Sequence, residues 1–214
     1  MDADEFLVSD LTVGQSLAAL DRGQTLARVR PMELLGGSDT AFKTFLPAGP
    51  NRAKTVRAIY PTFGDYLTGG FLSHVAGKLF VRTSLPDVQI RIHNAFQNDQ
   101  IIPNAVELPD IALAHCHATS WTAWRAAYDY RLSKGSYRAE LKPAKKPENG
   151  GMTLHDLFHY LEANDGESGL RAFYDEVIGD SPDMRARLQA HGALREVDLN
   201  LDALLAKHFP DAPV

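Results

Sequence analysis

The sequence predicts an α/β fold, a sheet-and-helix domain followed by a helical tail, and three observations lead to it. Up to residue 117 the apolar residues fall in short runs or alternate with period two, the pattern of strands buried on one or both faces. The apolar run 111–117 passes through a short link straight into a helical pattern, which is the strand–link–helix order of an α/β protein. Beyond a stretch rich in Pro, Lys and Gly, apolar residues recur only at helical spacing.

Composition sets the outer bounds. With 214 residues, 44% of them hydrophobic and 23% charged, the chain can bury a sizeable core, which excludes intrinsic disorder. Its 27 acidic and 22 basic residues leave a net charge of −5, so a protein that coats nucleic acid is not expected. No apolar run approaches the roughly 18 to 20 residues of a membrane span, and Met1 leads into acidic residues, so neither a transmembrane segment nor a secretion signal is expected. The lone Cys116 has no partner for an intramolecular disulfide, which suits a cytoplasmic protein.

In chain order, Thr12 caps a short helix whose Val13, Leu17 and Leu20 share a face, and a strand runs from Thr25 toward Gly36-Gly37. Residues 39–61 mix Pro47, Gly49, Pro50 and Asn51 with Arg52, Lys54 and Arg57, which reads as a loop leading into a short strand at 55–59. Residues 71–82 read as strand, and Val88, Ile90 and Ile92 alternate with polar residues, leaving His93 on the polar side. Residues 111–117 form a buried strand, and Ser120 caps the helix that carries Trp121, Trp124 and Tyr128. The sequence therefore divides at residues 141–151, a linker, into a domain over 1–140 and a helical tail over 152–214, with helices opened by Thr153 and Ser181-Pro182 and a last one over 201–209.

Four constellations can carry chemistry. Asp2 and Asp4 stand at i and i+2, so an extended backbone points both carboxylates to one side, within reach of one divalent cation; the plain alternative is a solvated acidic end. His115 and His117 share a strand face by the same rule and can offer nitrogen ligands, unless one simply bonds a neighbouring strand. Lys78, Arg82, Arg91 and His93 lie on two consecutive strand-like segments and can gather at a diphosphate, although each alone reads as a surface charge. Asp65 and His74 flank a Gly-rich turn and are candidates for proton transfer. Trp121 and Trp124 read as helix packing, and Lys142, Lys145 and Lys146 as charges that solvate the linker or touch an anionic membrane surface.

Taken in order, Asp2-Ala3-Asp4-Glu5-Phe6-Leu7, Lys54-Thr55-Val56, Gly77-Lys78 with Arg82, Arg91-Ile92-His93-Asn94 and His115-x-His117 before Ser120-Trp121 resemble the motif series of a bacterial branch of family 2 glycosyltransferases. The resemblance runs from Asp2 to about Tyr137. It implies a partial GT-A sheet, Rossmann-like and of the nucleotide-diphospho-sugar transferase kind, with a C-terminal helical tail. Asp2 and Asp4 would be the motif carboxylates that hold Mg²⁺ or Mn²⁺ on the diphosphate of a nucleotide-sugar donor, with His115 or His117 as the remaining ligand. Lys78, Arg82 and Arg91 would bind the donor phosphates, and Asp65 and His93 would be the catalytic groups. The implied reaction is sugar transfer to a glycan acceptor hydroxyl in surface polysaccharide synthesis, in the cytoplasm or at the inner face of the membrane.

The series also departs from that family. No Glu-Asp or Asp-Asp pair stands mid-chain where many family members keep their base, which leaves Asp65 as the carboxylate to consider. The two or three βα units that precede the Asp-x-Asp motif in a GT-A domain do not precede it here, so the expectation is a C-terminal portion whose open sheet edge is covered by self-association or by a partner chain. Two other classes compete: a non-catalytic interaction module, and a small metal-dependent hydrolase built on His93, His115 and His117.

Overall fold

The computed structural model describes residues 1–83 and 85–211. In chain order the elements are β1 (Glu5–Ser9), α1 (Val13–Ala18), β2 (Leu26–Leu34), β3 (Ala41–Thr44), α2 (Arg52–Ile59), β4 (Lys78–Val81), β5 (Val88–Ile90), β6 (Ala95–Gln97), β7 (Gln100–Ile101), β8 (Val106–His115), α3 (Trp121–Ser133), α4 (Leu154–Val177), α5 (Pro182–Ala190), β9 (Leu194–Glu196) and α6 (Leu201–His208). The result is a mixed α/β fold. Six strands form the main sheet in the order β1-β8-β2-β3-β9, with β4 also on β2, and β5-β6-β7 make a small antiparallel sheet.

β2 organises the main sheet because seven of its nine residues are buried and both of its edges are paired. One edge pairs in parallel with β8, and the other is shared, Leu26 to Val29 with β4 and Met32 to Leu34 with β3. Pro31, which has no N–H to donate, stands where this second edge passes from one partner to the other. The β2–β8 ladder shifts register between Arg28 and Arg30, where β8 contains Pro109, so here too a missing donor coincides with an interruption.

The largest core lies where α3 and α4 meet the sheet. Trp124, Tyr128 and Tyr137 pack against Phe158 and Phe173, with ring centroids 4.8 Å apart for Phe158 and Phe173 and 5.0 Å for Tyr137 and Phe158. Ser120 accepts from the Ala123 N–H and Thr153 from the Asp156 N–H, so both helices begin with the caps the sequence offers.

Four expectations change. Residues 41–44, expected within a loop, form strand β3, whose Ala41 and Phe42 are buried and which pairs with both β2 and β9. Residues 55–59, expected as a strand, belong to helix α2: the β-branched pair Thr55-Val56 favours a strand locally, but Val56 and Ile59 are buried at helical spacing. Of residues 71–82 only Lys78–Val81 is strand, because Gly69, Gly70 and Gly77 take positive φ and turn the chain before it. The segment 152–214 is more than a helical tail: β9 pairs with β3, and Leu157, Phe158, Leu161, Leu170, Phe173 and Val177 belong to the same buried cluster as Trp124 and Tyr60. The 141–151 stretch, which holds a short 3₁₀ turn at Pro147–Asn149, therefore connects two parts of one core.

Candidate metal centre

β1 carries the Asp-x-Asp motif into the sheet from its C-terminal side. Its register with β8 sets Glu5 opposite His115 and Phe6 opposite Ala114, and the ladder continues past the strand as the Cys116 N–H donates to the Asp4 carbonyl at 2.9 Å. The motif is thus anchored by the strand that follows it, where the GT-A pattern would have a strand before it. Asp4 is thereby placed against the end of β8, and Asp4, His115 and His117 present ligand atoms that all lie within 4.8 Å of one another. Asp4 Oδ2 is 3.4 Å from His115 Nε2, and the two imidazole centroids are 5.1 Å apart.

His117 is fixed at both ends. Its Nε2 lies 3.1 Å from the Tyr137 hydroxyl, which also accepts the indole N–H of Trp124 at 3.0 Å, and its carbonyl accepts from Arg131 at 2.6 Å. Burial, reinforced by the positive charge of Arg131, pushes its pKa down to about 3 against the opposing pull of Glu33. His74, whose ring centroid is 6.2 Å from that of His115, is pushed down to about 4, first by burial and then by His93 and His115. A neutral imidazole keeps a lone pair for a ligand, and the carboxylate of Asp4 with the rings of His115 and His117 forms an O,N,N donor set. That set suits a first-row transition ion such as Zn²⁺ or Fe²⁺, and of the two cations the resemblance implies, Mn²⁺ accepts imidazole more readily than Mg²⁺, which favours oxygen alone.

Asp2 stands apart from the triad. Its carboxylate accepts from Lys78 Nζ at 3.0 Å, the contact that chiefly holds its pKa below the usual range, while Lys78 also pairs with the buried Glu5 at 3.2 Å. Gly77 makes this approach possible: at φ 69° it lies so close to β2 that an added Cβ would meet the Val29 carbonyl at 1.9 Å.

Of the other cations expected at a diphosphate, Arg91 lines a cavity of about 520 Å³ together with Asp2 and Lys78, and Arg82 does not. Arg82 lies at the far end of β4, about 10 Å or more along the strand from Lys78, and donates to the Gln24 and Asp21 carbonyls. Arg91 stacks over Phe96 at 4.1 Å on the small sheet. Asp65 is ion-paired with Arg57 at 2.9 Å and with Lys145 at 3.4 Å, and the Arg57 hydrogen bond is the main cause of its lowered pKa. His93 sets its Nδ1 2.9 Å from the Gly77 carbonyl and its ring 3.8 Å from that of His74, so it stands beside the triad and outside the metal-ligand group. The three-histidine set of a hydrolase is therefore not assembled.

Four residues of this region were not singled out for chemistry by sequence. Glu33, 3% exposed, accepts from Leu72 N–H, Ser73 N–H, Ser73 Oγ and Lys43 Nζ, and so holds the loop that presents His74. Lys43, Glu5 and Tyr137 complete this buried polar layer. The readable signal was a charged residue inside an otherwise apolar strand, as in Met32-Glu33-Leu34 and Phe42-Lys43.

A cavity of about 280 Å³ adjoins the triad, between the loops 66–76 and 136–144, with His74 and Tyr137 in its wall. Comparison of the chain with protein-family models, with curated proteins and with solved structures gives no match.

Proposed function

We propose that the chain is a glycosyltransferase of the GT-A type, or the C-terminal portion of one, that transfers a sugar from a nucleotide-sugar donor to an acceptor hydroxyl with the help of a divalent cation. The observation that supports this most is the convergence of Asp4, from the motif, with His115 and His117, at the C-terminal end of the neighbouring strand β8. In this reading Asp4 and the two histidines hold the cation, and of Mg²⁺ and Mn²⁺ it is Mn²⁺ that better fits their donor chemistry. The bound ion would act as a Lewis acid toward the departing nucleoside diphosphate.

The chain's own residues would do the rest by orientation. Tyr137 and Arg131 fix His117, Lys78 draws Asp2 and Glu5 together beneath Asp4, and Glu33 fixes the loop bearing His74. Such held ligands are what a preorganised site requires. Of the two proposed catalytic groups, His93 is the one that stands next to the triad through His74, whereas Asp65 is matched by two cations.

The test is calorimetric titration of UDP and of GDP into the folded chain with and without Mn²⁺, using Asp4→Ala and His117→Ala as controls. The expected result is binding of one nucleotide that requires Mn²⁺ and is lost in both variants. Nucleotide binding indifferent to Mn²⁺, or none by a folded chain, would sink the proposal and favour a non-catalytic interaction module.

A further inference from the structure

We propose that the cavity beside the triad is the acceptor site and that its occupant is a sugar carrying an anionic group, a carboxylate or a phosphate. The inference rests on the glycosyl-transfer reading for the word acceptor, but the site itself is argued from its walls.

Its wall contains two residues that neighbour the triad, His74 and Tyr137. Tyr137 lines the cavity and touches His117 Nε2 through its hydroxyl, and His74 lines it while standing next to His115. A group seated there is brought up against the triad, which is where a transfer reaction needs its second substrate. The volume of about 280 Å³ lies just below the usual range for drug-sized ligands and suits a single sugar ring.

The walls have the mixed chemistry of a saccharide site. Tyr66, Leu141, Pro143 and Leu154 offer apolar surface to the C–H face of a pyranose. Ser136 Oγ and His74 Nδ1 are buried polar atoms that make no hydrogen bond among the described residues, and both residues line the cavity. Buried polar groups without partners call for an explanation, and a hydroxyl-rich ligand is one.

Charge selects the kind of sugar. Arg138 and Lys142 stand in the cavity lining; among the described residues Lys142 has no acidic partner, and Arg138 has only exposed Glu140 at 3.8 Å. The nearby carboxylates are already matched, Asp65 by Arg57 and Lys145, and Glu33 by Lys43. In a chain of net charge −5, the mouth of this cavity is left locally positive.

The experiment is an NMR titration of the ¹⁵N-labelled chain with glucose, glucuronic acid and glucose 6-phosphate, read at the Ser136 and Lys142 amides, for the wild type and for exposed-site variant Lys142→Gln. One or both charged sugars should bind about tenfold tighter than glucose, the gain expected of one charge-assisted hydrogen bond, and Lys142→Gln should abolish that difference while leaving Mn²⁺-dependent binding of UDP or GDP, whichever the chain takes, unchanged. A preference for glucuronic acid alone identifies a carboxylate, and for glucose 6-phosphate alone a phosphate. Equal binding of all three sugars overturns the proposal, as does a loss of that nucleotide binding in Lys142→Gln, which would assign this cation to the donor. If the charged sugars bind selectively but neither UDP nor GDP binds with Mn²⁺, the glycosyl-transfer reading falls and the anionic-sugar site stands.

Discussion

Glu33 and Lys43 face each other across β2 and β3 at 3.2 Å, with side chains 3% and 2% exposed. Removing one partner of such a pair leaves the other charged and buried, so Glu33→Ala should lose about 3–5 kcal/mol in urea denaturation, whereas Glu33→Met with Lys43→Met should lose much less. Burial opposes the charge on Glu33, yet Lys43, His117 and Ser73 together hold its pKa at about 2 against an ordinary 4.5. The folded state thus binds fewer protons than the unfolded one, and this contribution is whole above pH 4.5 and fades as pH falls toward 2. His74, held neutral down to about 4, acts in the same direction at higher pH: stability should decline as pH drops from 6.5 toward 4, because the unfolded chain takes up a proton that the fold refuses. Melting temperatures across pH 3 to 8 check both, and His74→Gln should reduce the upper slope without abolishing it, because His117, held neutral to about 3, contributes over the same range. Tyr137→Phe removes the hydrogen bond that orients His117 and should weaken Mn²⁺ binding about 10- to 100-fold, measured by calorimetry. At this scale period two in 115–117 and the Asp-x-Asp spacing made the ligand types legible. The sequence could not show that Asp2 turns to Lys78 while Asp4 turns to His115, since that choice is made by Gly77 and by the register of β1 on β8.

Elements were legible wherever local chemistry and tertiary packing agreed. Thr12, Ser120, Thr153 and Ser181 each accept from a backbone N–H of the helix they open, as their positions ahead of apolar-periodic stretches suggest. α2 was misread because Thr55-Val56 prefers a strand locally, whereas the fold buries Val56 and Ile59 on one helical face. α4 shows a further feature that apolar spacing alone conceals. Its face runs through Leu157, Phe158 and Leu161, then through Leu170, Phe173 and Val177, but between the two halves Gly166 has φ 60° and ψ −140°, a conformation open essentially to glycine alone. No atom lies within 4 Å of a Cβ built there, so Gly166→Ala meets no steric obstacle and tests the backbone alone. It should destabilise by about 1–3 kcal/mol in urea denaturation. A neutral or stabilising result would mean that the helix runs straight through residue 166.

At the scale of the molecule, the composition of 141–151 marks a boundary that the packing does not respect. Such a stretch is poor in apolar anchors whether it joins two domains or two parts of one, so composition alone does not separate the cases. Contacts between distant residues decide it. Lys43 on β3 donates to the Val177 carbonyl at the end of α4, Gly36 bridges to Gly179, and Arg185 ties Asp180 to Glu196 on β9, which itself extends the sheet beyond β3. Leu157, Phe158, Leu161, Leu170, Phe173, Tyr174, Val177, Met184 and Leu188 are all buried in the cluster that also holds Trp124 and Tyr137. At about 1.5–3 kcal/mol for each large apolar side chain, their burial matches or exceeds the roughly 5–15 kcal/mol by which a domain is normally stable. A chain ending at residue 150 should therefore fail to fold, giving poorly dispersed NMR amide signals, and the full chain should unfold in one transition by both circular dichroism and Trp fluorescence. The consequence reaches the metal centre, because Trp124 and Tyr137, which steady His117, are themselves packed against Phe158 of α4. Phe158→Ala should cost about 3–5 kcal/mol of stability, and at temperatures where the variant is still folded its Mn²⁺ affinity should fall as well. Unchanged Mn²⁺ affinity in a folded Phe158→Ala would show that β1 and β8 alone define the ligand geometry.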